Sequence, residues 1–466
     1  MRPTVLSYGL GADSTAILLK LMEDPTAYGL REDLSDLTVV HAVTGDEWPD
    51  SLEYVERHIL PRMRAHAVRF VQVARGGHFE GDGIVVLSDT RSPRRVHAQG
   101  PWVLSEDLRA AGTVPTLAQG TRTCSIKAKG FVLDSWAAAE FGTTAFRRAI
   151  GYHFGELSRA EKDSVIQARH NKEAGRVICD PYYPLIEERL DRAQVEAYVL
   201  SVTGEPIQKS FCVMCCFSGV CSSRASHEAR LRRFPHLAAS ALRLEYAAMA
   251  LNENSSLYAK TSLYRNLTED ERNQPVLEAF EASLDQAEFA VYEVRRVYLA
   301  KRTPECRTLH GRSCRSPRWW CRHERTGFCR GAHAEQGGAP TCRGDAACRQ
   351  PARKGQSRRS VRTLFEGERA AAEAWVSDMA TEGARLERGA LSGIRRAVYQ
   401  EAGSGYPHGV GFVTAAPKGA QDKQRSGFED VWSAVTGRSG TWRRPLRGAR
   451  PAQQLGFAGP MASGWV

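Results

Sequence analysis

Thr4-Val5-Leu6-Ser7-Tyr8-Gly9-Leu10-Gly11-Ala12-Asp13-Ser14-Thr15-Ala16-Ile17-Leu18-Leu19-Lys20 is an apolar strand that breaks into a Gly-x-Gly-x-Asp-Ser turn and opens a helix. Gly9 and Gly11 allow a sharp bend and a close backbone approach, while the free amides of a new helix turn present partial positive charge to an anion. Asp13, Ser14 and Thr15 stand where helix caps belong, so hydroxyls and amides are aimed at one spot. The stretch therefore predicts a pyrophosphate-binding turn. It is not a Walker loop, since no Gly-Lys-Ser/Thr follows at the required spacing. A ligand-free turn would also tolerate two glycines; its place behind the first strand favours the functional reading.

Working outward, residues 1–190 alternate β-branched apolar runs with amphipathic stretches, the pattern of a parallel sheet covered by helices. Strands are expected at 4–8, 38–43, 68–73 and 146–151, and helices at 13–22, 51–66 and 130–141. The fold class is α/β, a doubly wound, mostly parallel sheet with a helical extension and a Cys/Arg-rich C-terminal region. Residues 76–121, punctuated by Gly-Gly-His, Asp-Gly and Ser-Pro, read as an insertion or lid beside the site. The expected domains are a nucleotide-binding domain over 1–230 and a helical subdomain over 231–300. A basic segment over 301–360, a helical segment over 361–402 and a disordered tail over 403–466 follow.

At 466 residues with 42% hydrophobic and 25% charged residues, the chain has ordinary globular composition. It shows neither an export signal nor 18 uninterrupted apolar residues, so a cytoplasmic protein without a membrane span is expected. Twelve cysteines in that setting point to thiol, metal or iron–sulfur chemistry rather than disulfides. The net charge of +11 is unevenly placed, because residues 301–360 hold 15 Lys/Arg against 4 Asp/Glu. That segment also carries Cys306, Cys314, Cys321, Cys329, Cys342 and Cys348 with Trp319 and Trp320. The cysteine spacings fit no zinc finger; DNA or RNA contact, metal binding and a solvated insert all remain open for it.

Further constellations follow the expected strands. Thr44-Gly45-Asp46-Glu47 stands at the end of the second, where doubly wound sheets bind ligands, though Asp50 and Ser51 capping a helix would explain the stretch as well. After the fourth strand come Gly151, Glu156 and Arg159; a guanidinium there suits a phosphate or sulfate, and an exposed ion pair is the plainer alternative. Cys124 lies among Arg122, Lys127 and Lys129 at a helix start, a setting that favours a thiolate. Eighty-eight residues on stand Cys212, Cys215, Cys216 and Cys221, and a Cys-x-x-Cys with cysteines close by suits zinc or a four-iron cluster. Cys179, alone in a strand-like run, reads as core.

The turn resembles the Ser-x-Ser-Gly-Gly-x-Asp-Ser signature of the PP-loop (N-type ATP pyrophosphatase, adenine nucleotide alpha hydrolase) superfamily. Ser7, Gly11, Asp13 and Ser14 match; Gly9 stands where the family has Ser, and Leu10 where it has Gly. The Thr44 segment is similar to the Thr-Gly-x-Glu-x-Pro-x-Thr of phosphoadenosine phosphosulfate (PAPS) reductase relatives, and the Gly151 segment to their Gly-Ile-x-x-x-Glu-x-x-Arg. The resemblance, over residues 3–225, implies ATP or PAPS/adenylylsulfate (APS) as ligand, and it admits Mg2+. It places Ser7, Gly9, Gly11, Asp13, Ser14, Thr15, Thr44, Gly45, Glu47, Arg122, Lys127 and Gly151 at the nucleotide and Cys124, Glu156 and Arg159 in catalysis. By likeness to the adenylylsulfate reductases and the DNA-phosphorothioation sulfurtransferases, Cys124, Cys212, Cys215 and either Cys216 or Cys221 would hold a [4Fe–4S] cluster, with zinc as the alternative. The expected activity is adenylation-dependent sulfur or group transfer, with a nucleic-acid or metabolite oxygen as the acceptor. The alternatives are a sulfonucleotide reductase, whose C-terminal Glu-Cys-Gly-x-His tail is not found here, and a non-catalytic nucleotide-binding partner.

Overall fold

The computed structural model describes residues 2–115, 117–118, 121–216, 224–258, 261–301, 353–389, 391, 393–401 and 406–437. They fall into two compact units, the first drawn from 1–287, 388–394 and 416–421, the second from 288–387, 395–415 and 422–466.

The first unit is built on β1 (Thr4–Ser7), β2 (Leu37–Val43), β3 (Arg69–Arg75), β4 (Ile84–Thr90), β7 (Phe146–Ile150) and β8 (Cys179–Tyr182), in the order β4-β3-β2-β1-β7-β8. All neighbours are parallel except β3 and β4. Successive residues point to opposite faces of a sheet, and here both faces are covered, so β1 and β2 are largely apolar. Leu6, Val39 and Phe70 pack with α1 (Ala12–Glu23), with Tyr54, Val55 and Ile59, and with Val195 and Val199 of the helix Arg192–Thr203. Val5, Val40, Ala42, Val71 and Val73 pack against Val132 and Trp136 of the helix Phe131–Phe141. Cys179 lies in that second layer, as expected. The four expected strands are present within a residue or two of their bounds.

The segment 76–121 is more than a lid. It supplies the edge strand β4, a helix at Leu104–Ala111 and the short ladder of β5 (Leu117–Ala118) with β6 (Thr121–Arg122). Helices Arg224–Arg233, Pro235–Leu251 and Gln274–Asp285 match the helical expectation for 231–300, but Phe289 onward does not.

That residue opens the second unit. β9 (Phe289–Lys301), β10 (Arg353–Gly367), β11 (Arg385–Arg388), β12 (Arg395–Glu401), β13 (His408–Pro417) and β14 (Lys423–Gln424) form a sheet in the order β11-β12-β13-β9-β10-β14. The helical expectation for 361–402 is therefore corrected: only Arg369–Thr381 is helix, and the rest is largely strand. The disordered tail is corrected over 406–437, which holds β13 and the helix Phe428–Thr436. In both places the decisive partner is remote in sequence, for β10 pairs with β9 from Arg353↔Lys301 to Gly367↔Phe289. The basic segment between those paired ends, 302–352 with its six cysteines and two tryptophans, lies outside the described residues, as do Cys221 and 438–466. Among the described residues no helix is long and apolar enough to cross a membrane.

Candidate functional site

The strand order reverses direction at β1, whose neighbours are β2 on one side and β7 on the other. A crevice opens outside the carboxyl ends of strands at such a point. The turn after β1 stands there. Leu10 takes φ 57, the left-handed conformation that suits glycine, and its side chain is buried in the core. Left-handed backbone costs a non-glycine residue about 1–2 kcal/mol, which burial of a leucine, about 1.5–3 kcal/mol, offsets. The departure from the family glycine thus leaves the turn intact.

Gly11, not Asp13 or Ser14, is the N-cap of α1, and no side chain caps that end. Thr15 N donates to Gly11 O at 3.0 Å, so the amides of the first turn ahead of it are the unused donors of a helix start. Ser14 Oγ donates to Gly11 O and accepts from Gly9 N, both at 3.2 Å, and ties the turn to itself. The Thr15 hydroxyl turns inward to Tyr8 Oη at 3.2 Å. A Cβ on Gly9 would meet nothing within 4 Å, whereas one on Gly151 would lie 2.8 Å from Ser14 N. Gly151 is thus required for β7 to approach the helix start.

Asp13 Oδ2 accepts from Arg192 Nη1 at 2.8 Å, while Oδ1 is buried with no hydrogen-bond partner. Burial pushes this carboxyl up, against the pull of Arg192 and His153. Glu156 is close enough to push it further, so the Glu156–Arg159 pair stands on the same side as the turn. Arg159 also lies over the Tyr152 ring, 4.6 Å from its centroid.

At the end of β2, Gly45 has φ 85, and a Cβ there would fall 2.2 Å from Val103 Cγ1. This glycine admits the 103–105 segment, which bonds from Leu104 N to Thr44 O and from Ser105 N to Asp46 Oδ2. Burial lifts Asp46 to about 6 despite those Ser105 contacts. Glu47 accepts from Thr44 Oγ1 at 3.1 Å and from Lys129 Nζ at 3.3 Å. Its side chain is 3% exposed. Burial alone would raise its carboxyl, but Lys129, His41 and the two hydrogen bonds outweigh it and hold it below the ordinary value of 4.5. A group so depressed adds stability above its unfolded value and loses it as pH falls through its folded value. Glu47→Gln should therefore destabilise the protein by about 1–3 kcal/mol at neutral pH and flatten acid unfolding below about pH 5. Urea melts across pH check this, and an unchanged acid slope refutes it.

The segment 209–216 bridges the ends of β1 and β2. Ser210 Oγ donates to Gly9 O at 2.6 Å, and Val213 N donates to Asp46 O at 3.0 Å. It is held from behind by Arg230, which donates to Lys209 O, to both Asp50 oxygens and to Ser51 Oγ. His227 meets Val213 O at 2.9 Å. Cys212 Sγ thereby lies 3.9 Å from Thr44 Oγ1, beside Glu47 and Lys129. Burial, reinforced by Glu47, pushes this thiol well up, with Lys129 opposing. Burial also lifts Cys216, to about 12, with Cys215 and Cys124 adding to it.

The structure thus gathers Ser7, Gly9, Gly11, Asp13, Ser14, Thr15 and Gly151 at one strand crossing, and Thr44, Glu47 and Cys212 on the neighbouring strand end. Cys124 and Arg122 both interact electrostatically with Cys216, while the side chains of Arg122 and Lys127 are exposed. Lys129 reaches Glu47 from a π turn over Ile126–Gly130. His41 was also missed: it is buried in β2, with Nδ1 at 3.0 Å from Tyr8 O and Nε2 without a partner. Its only signal was a histidine in an apolar strand.

The described cysteines are thiols, not disulfides, and their donor chemistry suits zinc or a cluster. Among the described residues no three His, Cys, Asp or Glu side chains are gathered as a metal site, and Cys221, one of the expected ligands, lies outside them. No protein-family model, curated protein or solved structure matches this chain.

Proposed function

We propose that the first unit is a PP-loop nucleotide enzyme of the PAPS-reductase-like kind. It binds ATP or an adenylylated anion across Ser7–Ser14 and performs adenylation-dependent sulfur or group transfer. What carries the reading is one convergence. The Gly9–Gly11 turn, the open start of α1, Gly151 and Ser210 meet at the strand crossing, with the Cys212 thiol on the adjoining strand end. In this reading the first-turn amides of α1 hold phosphate oxygens. The acceptor oxygen attacks the α-phosphorus and pyrophosphate departs; a sulfur nucleophile then displaces AMP. Acceptors in this reading include nucleic acid.

A second reading, sulfonucleotide reduction, draws on the same Cys212, whose thiolate would attack the sulfate sulfur of PAPS or APS, expelling the nucleotide and leaving an S-sulfocysteine from which an added thiol, forming a disulfide, releases sulfite. Incubation of the purified protein with labelled ATP, and separately with PAPS and a thiol reductant, separates them. AMP with pyrophosphate supports transfer, and sulfite supports reduction. Tight nucleotide binding without turnover identifies a binding partner, and no binding overturns all three.

The empty space at Gly9 allows a sharper check. Gly9→Ser should leave the melting temperature unchanged, since its Cβ meets nothing within 4 Å. It should tighten ATP binding roughly tenfold, the worth of one hydrogen bond to a charged phosphate. Calorimetric titration showing equal or weaker binding would argue against phosphates above this turn.

A further inference from the structure

The second unit carries a face that the nucleotide reading does not use. Val297 and Leu299 of β9 pack on Phe428, Val431 and Trp432, and a Cβ on Gly409 of β13 would meet Thr436 and Trp432. The helix Phe428–Thr436 therefore covers that side. Side chains alternate along a strand, so Arg296, Tyr298 and His408 stand on the opposite side. There the rings of Tyr298 and His408 stack at 4.8 Å, 29° between planes, and Tyr406 continues the series 5.0 Å from His408. Beside them, Arg296 and Arg359 are direct cross-strand partners, two register positions from Tyr298↔Ser357 and so on the same face. All five side chains are half-buried.

Like charges set directly opposite on a sheet destabilise it. Burial and the Arg296 guanidinium together lower Arg359 to about 10, so a second cation is costly there. Two guanidiniums set directly opposite on one face suit a phosphate, whose oxygens accept from planar donors on both sides. The two strands are themselves basic in composition, β9 with three Lys/Arg and β10 with five, against Glu293 and Glu366.

A row of stacked rings flanked by paired guanidiniums suits a chain that alternates flat bases with phosphates. Duplex nucleic acid keeps its bases stacked inside, and only an unpaired strand offers them to aromatic rings. We propose that this face of the second unit binds single-stranded nucleic acid, with bases extending the Tyr298–His408–Tyr406 stack and phosphates between Arg296 and Arg359. This deepens the acceptor side of the function above but rests on the second unit alone, so loss of nucleotide turnover would not touch it.

The test is fluorescence anisotropy of labelled oligothymidylate, oligouridylate and a matched duplex with the full chain, without nucleotide. Single strands should bind more tightly than duplex. Tyr298→Ala should weaken single-strand binding roughly 5- to 150-fold, and Tyr298→Phe should retain it. Arg296→Gln with Arg359→Gln should lower the salt dependence by about 1.4, or 0.7 per phosphate on a single strand. This double variant leaves the three rings in place, and a thermal melt confirms that it is folded, which keeps the test valid if Tyr298→Ala fails to fold. Tighter duplex binding, or undiminished single-strand binding by either the folded alanine variant or the arginine pair, overturns the proposal. A preference between the two oligonucleotides identifies the strand as RNA or DNA.

Discussion

Arg230→Met should destabilise the protein by about 3–5 kcal/mol, the cost of removing one partner from a buried ion pair. Arg230 and Asp50 side chains are 5% and 8% exposed. The guanidinium is fully engaged by Asp50, Ser51 and Lys209 O and lies over the Trp48 ring at 5.1 Å. Without it the Asp50 carboxylate stays in an apolar pocket, with the largely exposed Arg233 at 3.5 Å as its remaining cation. The denaturation midpoint in guanidinium chloride should fall with an unchanged slope. Arg230→Met with Asp50→Leu should recover most of the loss, because the uncompensated charge is gone. The same guanidinium anchors the 209–216 segment, so the single variant should also make Cys212 more reactive toward a disulfide reagent. A change below about 1 kcal/mol would show that the network is not what holds this segment.

Gly151→Val should abolish nucleotide binding while leaving a folded protein. Any Cβ at this position falls 2.8 Å from Ser14 N and 3.0 Å from Asp13 Cβ, and both neighbours belong to the first turn of α1. Backbone cannot yield as a flexible side chain does, so β7 and α1 must separate at the point where phosphates are expected. Overpacking of this kind costs about 1–3 kcal/mol in stability. The loss in affinity should be at least about a hundredfold, equal to about 2.8 kcal/mol. Titration with ATP and a parallel thermal melt measure the two effects separately. Affinity equal to the parent's in a folded Gly151→Val protein would remove the α1 start from the site, whatever the fate of the Gly9→Ser prediction.

Much of the first unit was legible because its signals are local. β1, β2 and β3 are mostly β-branched and apolar residues buried on both faces, and such runs look alike wherever they occur. The glycines of the first turn, and Gly151 after β7, are visible one residue at a time. Side-chain roles were less legible. The acidic and hydroxyl residues at the α1 start read as caps, yet Asp13 turns to Arg192, 179 positions away. Lys127 and Lys129 are indistinguishable in sequence until a π turn exposes one and delivers the other to Glu47.

The second unit was hidden for a different reason. β10 contains so many cations that no local pattern marks it as a strand, and its partner β9 ends more than 50 residues earlier. Arg295 is held there by Glu429, 134 positions on, as well as by Glu293 of its own strand, and Arg362 by Glu293 across the β9–β10 pair. By itself, then, the sequence determined the mostly parallel α/β core and the place of the glycine turn after β1, since hydrophobic period and glycine position act over a few residues. Tertiary structure alone decided which cation faces Glu47, what holds the Cys212 segment over the turn, and that a basic stretch folds as a sheet. Each of those depends on a partner charge or strand that the chain brings back from far away.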